Sequence, residues 1–342
     1  MNTRPRILVP QPIQPEGLAL LQEVGDVEVI DTDRMLSRDE MIAAIKRCDY
    51  MLAIGDQHLT SDILDANPDL KGIAFAAGHP GEWMDVDACT ARGIPLTEIS
   101  RGPVTETTAE LTMALLLGCA WRLVEADAYT RAGKFRQEQS TLFMCHSLAG
   151  KTLGMVGLGA VGRLVAPRAK AFDLKLIYTK RTRLSPDDEA ALGVEWVPDL
   201  DDVLRESDFV SLHAAATPET EKLIGRRELD LMKKTAFFIN TARGRIVDEP
   251  ELIAALRDKR IAGAGIDTFW HEPPVTEYPD PDPGFFKLDN VILTPHLGGA
   301  TEESLSQIAL LAARNLVAMV KGERPPDLCN PEVYDGANAV AG

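Results

Sequence analysis

Three side chains far apart in the sequence could together carry out acid–base chemistry on an anionic substrate: Arg243, Glu272 and His296. A histidine can give and take a proton near neutral pH, and a carboxylate beside it favours the protonated ring. A guanidinium grips a carboxylate through two parallel hydrogen bonds. Taken singly, each has a plainer account. Arg243 could be half of a surface ion pair, and one histidine proves little. Position is what joins them. Arg243 follows the apolar run 236–239, Glu272 comes after the run 262–266, and His296 comes after the run 291–293. In an open parallel sheet, ligands bind outside the carboxyl ends of the strands. An acid/base histidine, an acid to hold it and a cation for the substrate would then converge on one face of one sheet.

Other strand ends add a cofactor signal. After the run 153–156 comes Gly157-Leu158-Gly159-Ala160-Val161-Gly162, and a helical stretch follows over 163–172. Glycines at this spacing allow a tight turn and let a pyrophosphate approach the free amides of a helix N-terminus. The pattern alone is weak, and a glycine-rich structural turn is the alternative; its place between strand and helix strengthens it. Dinucleotide sites carry an acid about 20 residues past the glycines to hold the ribose 2′-hydroxyl. Here Lys180, eighteen residues beyond Gly162, and Arg181 stand at that place. Two cations suit a 2′-phosphate, so NADP(H) is expected in preference to NAD(H); a solvated loop is the other reading. His213 follows the run 209–212, ahead of Thr217-Pro218-Glu219-Thr220, and reads as a structural histidine packed beside a cofactor rather than a catalyst.

The elements that would position these residues are legible as an alternation. Strands are expected at 6–9, 27–30, 50–54 and 72–76, with a helix at 16–24 and another opened by the capping-box pair Ser37 and Glu40. A second series of apolar runs follows at 153–156, 174–178, 209–212, 236–239, 262–266 and 291–293. Strands alternating with helices predict an α/β protein with parallel sheets. Between the two series lies one long helical stretch, 105–132, apolar on more than one side around 113–121 and ended by Gly133. Such a helix is buried between domains or in a subunit interface. Residues 140–149 read as an irregular connector, the Pro-rich 273–283 as a loop, 302–320 as a final helix and 336–342 as a fraying end.

Composition narrows the classes. A chain of 342 residues suggests two domains as a soft prior, with ample length for a core. The net charge of −16 argues against nucleic acid and against anionic membrane surfaces. The five cysteines, Cys48, Cys89, Cys119, Cys145 and Cys329, form no CxxC pair, which points to a reducing compartment and no metal site. Neither a signal peptide nor a run of about 18 apolar residues is seen, so the cytoplasm is the expected location.

With those motifs in hand, the chain resembles the D-isomer-specific 2-hydroxyacid dehydrogenase family over nearly its whole length. The carriers are the glycine motif, Asn240-Thr241-Ala242-Arg243-Gly244, Asp267 to Pro273, and Thr294-Pro295-His296-Leu297-Gly298-Gly299. The resemblance implies two Rossmann-like/flavodoxin-like parallel-sheet domains with a cleft between them. Residues 1–104 plus 300–342 would be the substrate-binding domain, and 105–299 the dinucleotide-binding one. It implies a hydride transfer between a nicotinamide cofactor and a 2-oxo/2-hydroxy acid, with Arg243, Glu272 and His296 as the catalytic three. It gives Asp267 the nicotinamide carboxamide, and it runs the loop from His213 and Ala214 under the cofactor, although Ala215 stands where the family often has Pro. Thr241, Gly298 and Gly299 complete the expected cofactor contacts, beside Gly157, Gly159, Ala160, Val161, Gly162, Lys180 and Arg181. It also implies a homodimer, with the long helix after Thr105 at the interface.

One stretch departs from the family. In Gly78-His79-Pro80-Gly81-Glu82-Trp83, Pro80 falls where relatives have a glycine whose amide holds the substrate carboxylate. Proline has no N–H to give. Gly78, His79, Gly81 and Trp83 are therefore the expected substrate contacts, and a local shift of alignment is the alternative. Two other readings stay open on the same fold: oxidation of phosphite or formate, and a non-enzymatic nucleotide sensor that keeps the three residues.

Overall fold

The computed structural model describes residues 4–32, 34–55, 57–78, 80–99, 104–138, 141–272 and 284–335. They fall into two compact units, 1–103 with 301–342 and 104–300.

The first unit opens with β1 (Arg6–Val9), α1 (Pro15–Val24), β2 (Asp26–Val29), α2 (Arg38–Ile45), β3 (Tyr50–Ala53), α3 (Ser61–Leu64), β4 (Gly72–Phe75), α4 (Val86–Ala91) and β5 (Leu96–Thr97). The strands form one parallel sheet in the order β2-β1-β3-β4-β5, the flavodoxin-like order. All side chains of β3 and β4 are buried, as expected for central strands covered on both faces. Ser37 and Glu40 close the expected capping box: the Glu40 amide donates to Ser37 Oγ, and Glu40 Oε2 accepts from the Ser37 amide at 2.8 Å.

The second unit runs through α5 (Val104–Ala120), α6 (Leu123–Arg131), β6 (Thr152–Val156), α7 (Ala160–Lys170), β7 (Lys175–Thr179), α8 (Pro186–Leu192), β8 (Glu195–Trp196), α9 (Leu200–Glu206) and β9 (Phe209–Leu212). It continues with α10 (Arg226–Leu231), β10 (Phe237–Asn240), α11 (Glu249–Arg257), β11 (Gly263–Ile266) and β12 (Val291–Leu293). Its seven strands are parallel in the order β12-β11-β10-β9-β6-β7-β8. The order reverses at β6, between β7 and β9, the place where a doubly wound sheet opens a crevice. The glycine motif leaves β6 there. The chain then returns to the first unit as α12 (Glu302–Val320) and α13 (Glu332–Asp335). Helix α12 packs on α1 so closely that a Cβ at Gly17 would lie 2.7 Å from the Ala309 carbonyl oxygen.

The long helix expected over 105–132 is two helices, α5 and α6, bent by 60°. Arg122 breaks it, with φ 50 in the left-handed region. Tertiary contacts hold that conformation. The guanidinium donates to both Glu125 oxygens at 2.9 and 2.6 Å and to the Leu142 carbonyl at 3.0 Å, and it lies 5.0 Å from the centre of the Phe143 ring. Helix α5 packs on β10 and β11, whereas α6 buries none of its residues. Among the described residues no single helix is long and apolar enough to cross a membrane. Two short edge strands, β5 and β8, were not expected from the sequence, and α7 starts at Ala160, ahead of the expected residue 163. The expected loop 273–283 and fraying end 336–342 lie outside the described residues.

Candidate active site

At the carboxyl end of β11, Asp267 is almost fully buried and organises the segment after β12. Its Oδ1 accepts from Thr294 Oγ1 at 2.5 Å and from the Leu297 amide at 2.7 Å, and its Oδ2 accepts from the Gly298 amide at 3.1 Å. The His296 amide donates to the Asp267 carbonyl at 3.0 Å. These bonds hold His296 at φ 53, in the left-handed region that non-glycine residues seldom adopt. The Gly298 carbonyl accepts from the hydroxyls of Thr107 and Thr108 at 2.6 and 3.0 Å, which ties the turn to the start of α5. A Cβ at Gly298 would lie 2.9 Å from Thr108 Oγ1.

The His296 ring, so placed, meets Glu272: Nδ1 lies 2.5 Å from Oε2, with the two side chains 39% and 17% exposed. The other Glu272 oxygen accepts from the Phe269 amide at 2.8 Å, so the carboxylate is fixed at both ends. The hydrogen bond to Glu272 raises the His296 pKa above the ordinary histidine value. Burial and the Arg243 charge oppose this, and the charges of Glu272 and Asp267 add to it.

Arg243 stands just beyond β10. The Asn240 side chain shapes its loop by donating to the Arg243 carbonyl at 3.1 Å and accepting from the Ala242 amide at 3.0 Å. Gly244 then passes against the segment after β11: a Cβ there would fall 1.9 Å from the Phe269 carbonyl carbon. Only glycine fits that approach. Thr241 is buried, with its hydroxyl 2.7 Å from that of Thr112. The structure thus brings Arg243, Asp267, Glu272 and His296 to one end of one sheet. Asn240 and Gly244 lay inside a motif visible in the sequence, but nothing there revealed their supporting contacts. Thr107 and Thr108 gave no signal.

At the switch point the three glycines differ in what surrounds them. Gly157 has φ +85, and a Cβ there would lie 2.7 Å from the Ala214 nitrogen and the His213 carbonyl carbon. Gly159 has no atom nearer than 4.0 Å to such a Cβ, and it caps α7 without covering its amides. Gly162 sits 3.0 Å from Leu158 and 3.4 Å from the His213 side chain by the same measure. A tight turn, an open approach and a close helix contact are what a pyrophosphate-binding turn requires. Ala160 and Val161 form the first turn of α7. Both His213 ring nitrogens are buried without a hydrogen-bond partner among the described residues, and burial pushes the ring pKa down to about 4. The residues present therefore fit a dinucleotide.

Lys180 and Arg181 leave the end of β7 beside this turn, whose Gly157 amide donates to the Thr179 carbonyl at 2.8 Å. Lys180 is half-buried and Arg181 exposed, and among the described residues neither makes a hydrogen bond or ion pair. Arg183 differs: it donates to both Glu189 oxygens at 2.8 Å and lies over the Trp196 ring.

In the first unit, Gly78 and Gly81 are exposed beyond the end of β4. Trp83 is half-buried, with its ring 6.0 Å from that of Phe75, and its amide donates to the Pro80 carbonyl at 2.8 Å. His79, the fourth expected substrate contact, lies outside the described residues. Among the described residues no group of three or more His, Cys, Asp and Glu side chains could hold a metal ion.

Comparison with known proteins agrees with this geometry. The family described as "D-isomer specific 2-hydroxyacid dehydrogenase, NAD binding domain" matches residues 113–298. A glyoxylate reductase of Thermococcus litoralis is 39% identical over 96% of this chain and 98% of its own. Among solved structures, the TT0316 protein from Thermus thermophilus is 35% identical, with a TM-score of 0.83 over 95% of this chain and 99% of its own. An NADPH-dependent glyoxylate/hydroxypyruvate reductase from Sinorhizobium meliloti is 29% identical, with a TM-score of 0.78 over 96% of this chain and 99% of its own.

Proposed function

Since the chain belongs to the D-isomer specific 2-hydroxyacid dehydrogenase family and is an NAD(P)-dependent oxidoreductase of 2-hydroxy acids, we propose that it reduces glyoxylate, hydroxypyruvate or a similarly small 2-oxo acid. The observation that carries the catalytic assignment is the His296–Glu272 contact of 2.5 Å at the strand ends that also present Arg243. With Nδ1 engaged by the carboxylate, Nε2 is the ring nitrogen left to face a substrate oxygen. In the reducing direction protonated His296 gives that proton to the carbonyl oxygen, which becomes the hydroxyl of the product. In the oxidising direction neutral His296 takes it back. Arg243 grips the substrate carboxylate and the carbonyl oxygen, and stabilises the negative charge that develops there. A nicotinamide held there would supply, or accept, the hydride exchanged at C2.

The glycine turn, with Gly157, Gly159, Ala160, Val161 and Gly162, would hold the pyrophosphate, and His213, Ala214, Thr241, Gly298 and Gly299 would line the rest of the cofactor path. Asp267 already accepts three hydrogen bonds, which leaves one carboxylate lone pair for the carboxamide. Lys180 and Arg181 would take a 2′-phosphate, so NADP(H) is preferred over NAD(H). In the loop after β4, Gly78, Gly81 and Trp83 would be the substrate contacts among the described residues. The enzyme works in the cytoplasm as a homodimer. The dimer face is built around the bend between α5 and α6, from Trp121 in the bend, Leu123 and Val124 at the start of α6, and Leu142 and Met144 of the later connector, all exposed by half or more.

The test is to follow NADPH and NADH consumption over a panel of 2-oxo acids, with phosphite and formate assayed in the oxidising direction. Turnover of glyoxylate or hydroxypyruvate well above that of longer 2-oxo acids is expected. Turnover only with phosphite or formate, or none with any substrate, would overturn the proposal.

A further inference from the structure

Glu249 is the first residue of α11, where an acid ordinarily interacts with its own helix N-terminus. Its side chain instead reaches 21 residues along the chain, and Oε2 accepts from the Trp270 amide at 2.9 Å. The preceding amide, that of Phe269, donates to Glu272 Oε1 at 2.8 Å. Two carboxylates thus hold two successive amides of one short segment. The Phe269–Trp270 peptide is also the group that Gly244 meets, since a Cβ at Gly244 would lie 2.5 Å from the Trp270 nitrogen and 1.9 Å from the Phe269 carbonyl. One peptide is therefore bounded by the residue after Arg243 on one side and gripped through its N–H by Glu249. The preceding peptide, Thr268–Phe269, supplies the amide that fixes Glu272.

We propose that Glu249 is a positioning residue for the Glu272–His296 pair, acting through the Phe269–Trp270 peptide; the proposal rests on the acid–base role given to His296 above. Anchoring the Trp270 amide fixes where the Phe269 amide points, and so where Glu272 presents its second oxygen to the ring. Without an acceptor at residue 249, the Trp270 N–H loses its hydrogen bond, and the peptide is held only by the packing of the Phe269 and Trp270 rings and by its contact with Gly244. Burial and the neighbouring Glu272 charge raise the Glu249 pKa, in keeping with a group drawn out of solvent to serve a structural bond beside the site. The charged groups that face the His296 ring are Glu272 and Asp267, which favour the imidazolium, and Arg243, which opposes it. Lys222 and Arg245 lie over the Trp270 ring, and Lys222 pairs with Asp248; neither makes an ion pair with Glu249 among the described residues.

The experiment compares Glu249→Ala, Glu249→Gln, His296→Ala and the wild type in the full-length enzyme, with glyoxylate and NADPH. Glutamine keeps a carbonyl oxygen for the Trp270 amide, and alanine does not. Glu249→Ala is expected to lower kcat on the order of 10- to 100-fold, the scale of a small misplacement of catalytic groups, with the Kd for NADPH unchanged. Its alkaline limb of reduction should move to lower pH, because a loosened Glu272 no longer holds the His296 pKa up. Glu249→Gln should restore most of kcat and the wild-type limb. Wild-type kcat and limb in Glu249→Ala, or a Glu249→Gln no better than the alanine variant, would overturn the proposal. His296→Ala separates the two layers: near-wild-type turnover there removes the acid–base reading itself, whereas a large loss there beside an unaffected Glu249→Ala removes only the role of Glu249.

Discussion

Along the carboxyl end of the seven-stranded sheet, the two sides treat their charges in opposite ways. Beyond β11 and β12, Asp267, Glu272 and His296 are each held by partners within the fold. Beyond β7, Lys180 and Arg181 have no hydrogen-bond or ion-pair partner among the described residues, although Arg183, two positions on, is fully engaged by Glu189. A preorganised group loses no reorganisation energy when charge develops in a reaction, which suits chemistry. A cation without a hydrogen-bond partner keeps its hydrogen-bonding capacity for a charged ligand, which suits recognition. The two sides therefore answer differently to mutation, pH and salt.

The largest effect is expected at the preorganised side. His296→Ala should lower reduction by about 10²–10⁴-fold, the usual worth of a positioned general acid, and Arg243→Ala should also remove most turnover. NADPH binding, measured by fluorescence titration, should survive in both. Near-wild-type turnover in either variant would show that the partnered network is a structural knot rather than a catalytic one.

The cation side should show an intermediate effect on a different quantity. A charge-assisted hydrogen bond contributes about 1.5–3 kcal/mol when well made. At about 1.4 kcal/mol per tenfold, one such bond to a 2′-phosphate gives roughly a tenfold preference or more. Lys180→Asp should therefore reverse or abolish the ratio of kcat/KM for NADPH over NADH and leave kcat with the better cofactor nearly unchanged. A wild type that already prefers NADH would break the comparison, since Lys180 and Arg181 would then be only a solvated loop.

Glu272→Gln should move a profile along the pH axis more than it changes its height. Reduction needs the His296 proton, and the bond to Glu272 raises that pKa, so activity persists to higher pH than an ordinary histidine allows and falls as pH rises through the raised value. Removing the charge lowers the pKa, and the alkaline limb should fall at lower pH. A limb that stays in place would assign Glu272 to something other than holding the proton. The smallest effect is that of salt. Exposed charges are screened beyond roughly 8 Å at physiological ionic strength, and partly buried pairs much less. Raising the salt should weaken the NADPH preference and leave the alkaline limb of reduction where it was.

The two sides were also unequally legible in the sequence. His296, Glu272 and Arg243 could be picked out because each follows an apolar run that reads as a strand of a parallel sheet, and strand ends are where such sheets present their chemistry. The register decided the rest. Glu249 is an acid at a helix start like many others, and only the fold shows its side chain 2.9 Å from the Trp270 amide. Gly244 reads as one more glycine until the Phe269 backbone is seen against it.

What the sequence by itself determined is the order of elements and the chemistry at their ends. Contiguous apolar runs specified β9 and β12 to the residue, the glycine spacing specified the turn after β6, and the Ser37–Glu40 pair specified the start of α2. These follow from local periodicity and turn stereochemistry, which a chain carries in its neighbouring residues. Tertiary structure alone decided where the helix after residue 104 bends. No glycine or proline marks Arg122; its left-handed backbone is held by Glu125, Leu142 and Phe143, two of them some twenty residues away. It also decided the two-residue edge strands β5 and β8, too short for any period to register, and the closure of Asp267, Glu272 and His296 on one another. Those features depend on contacts between residues distant in sequence, whose free energy exists only once the sheet has formed.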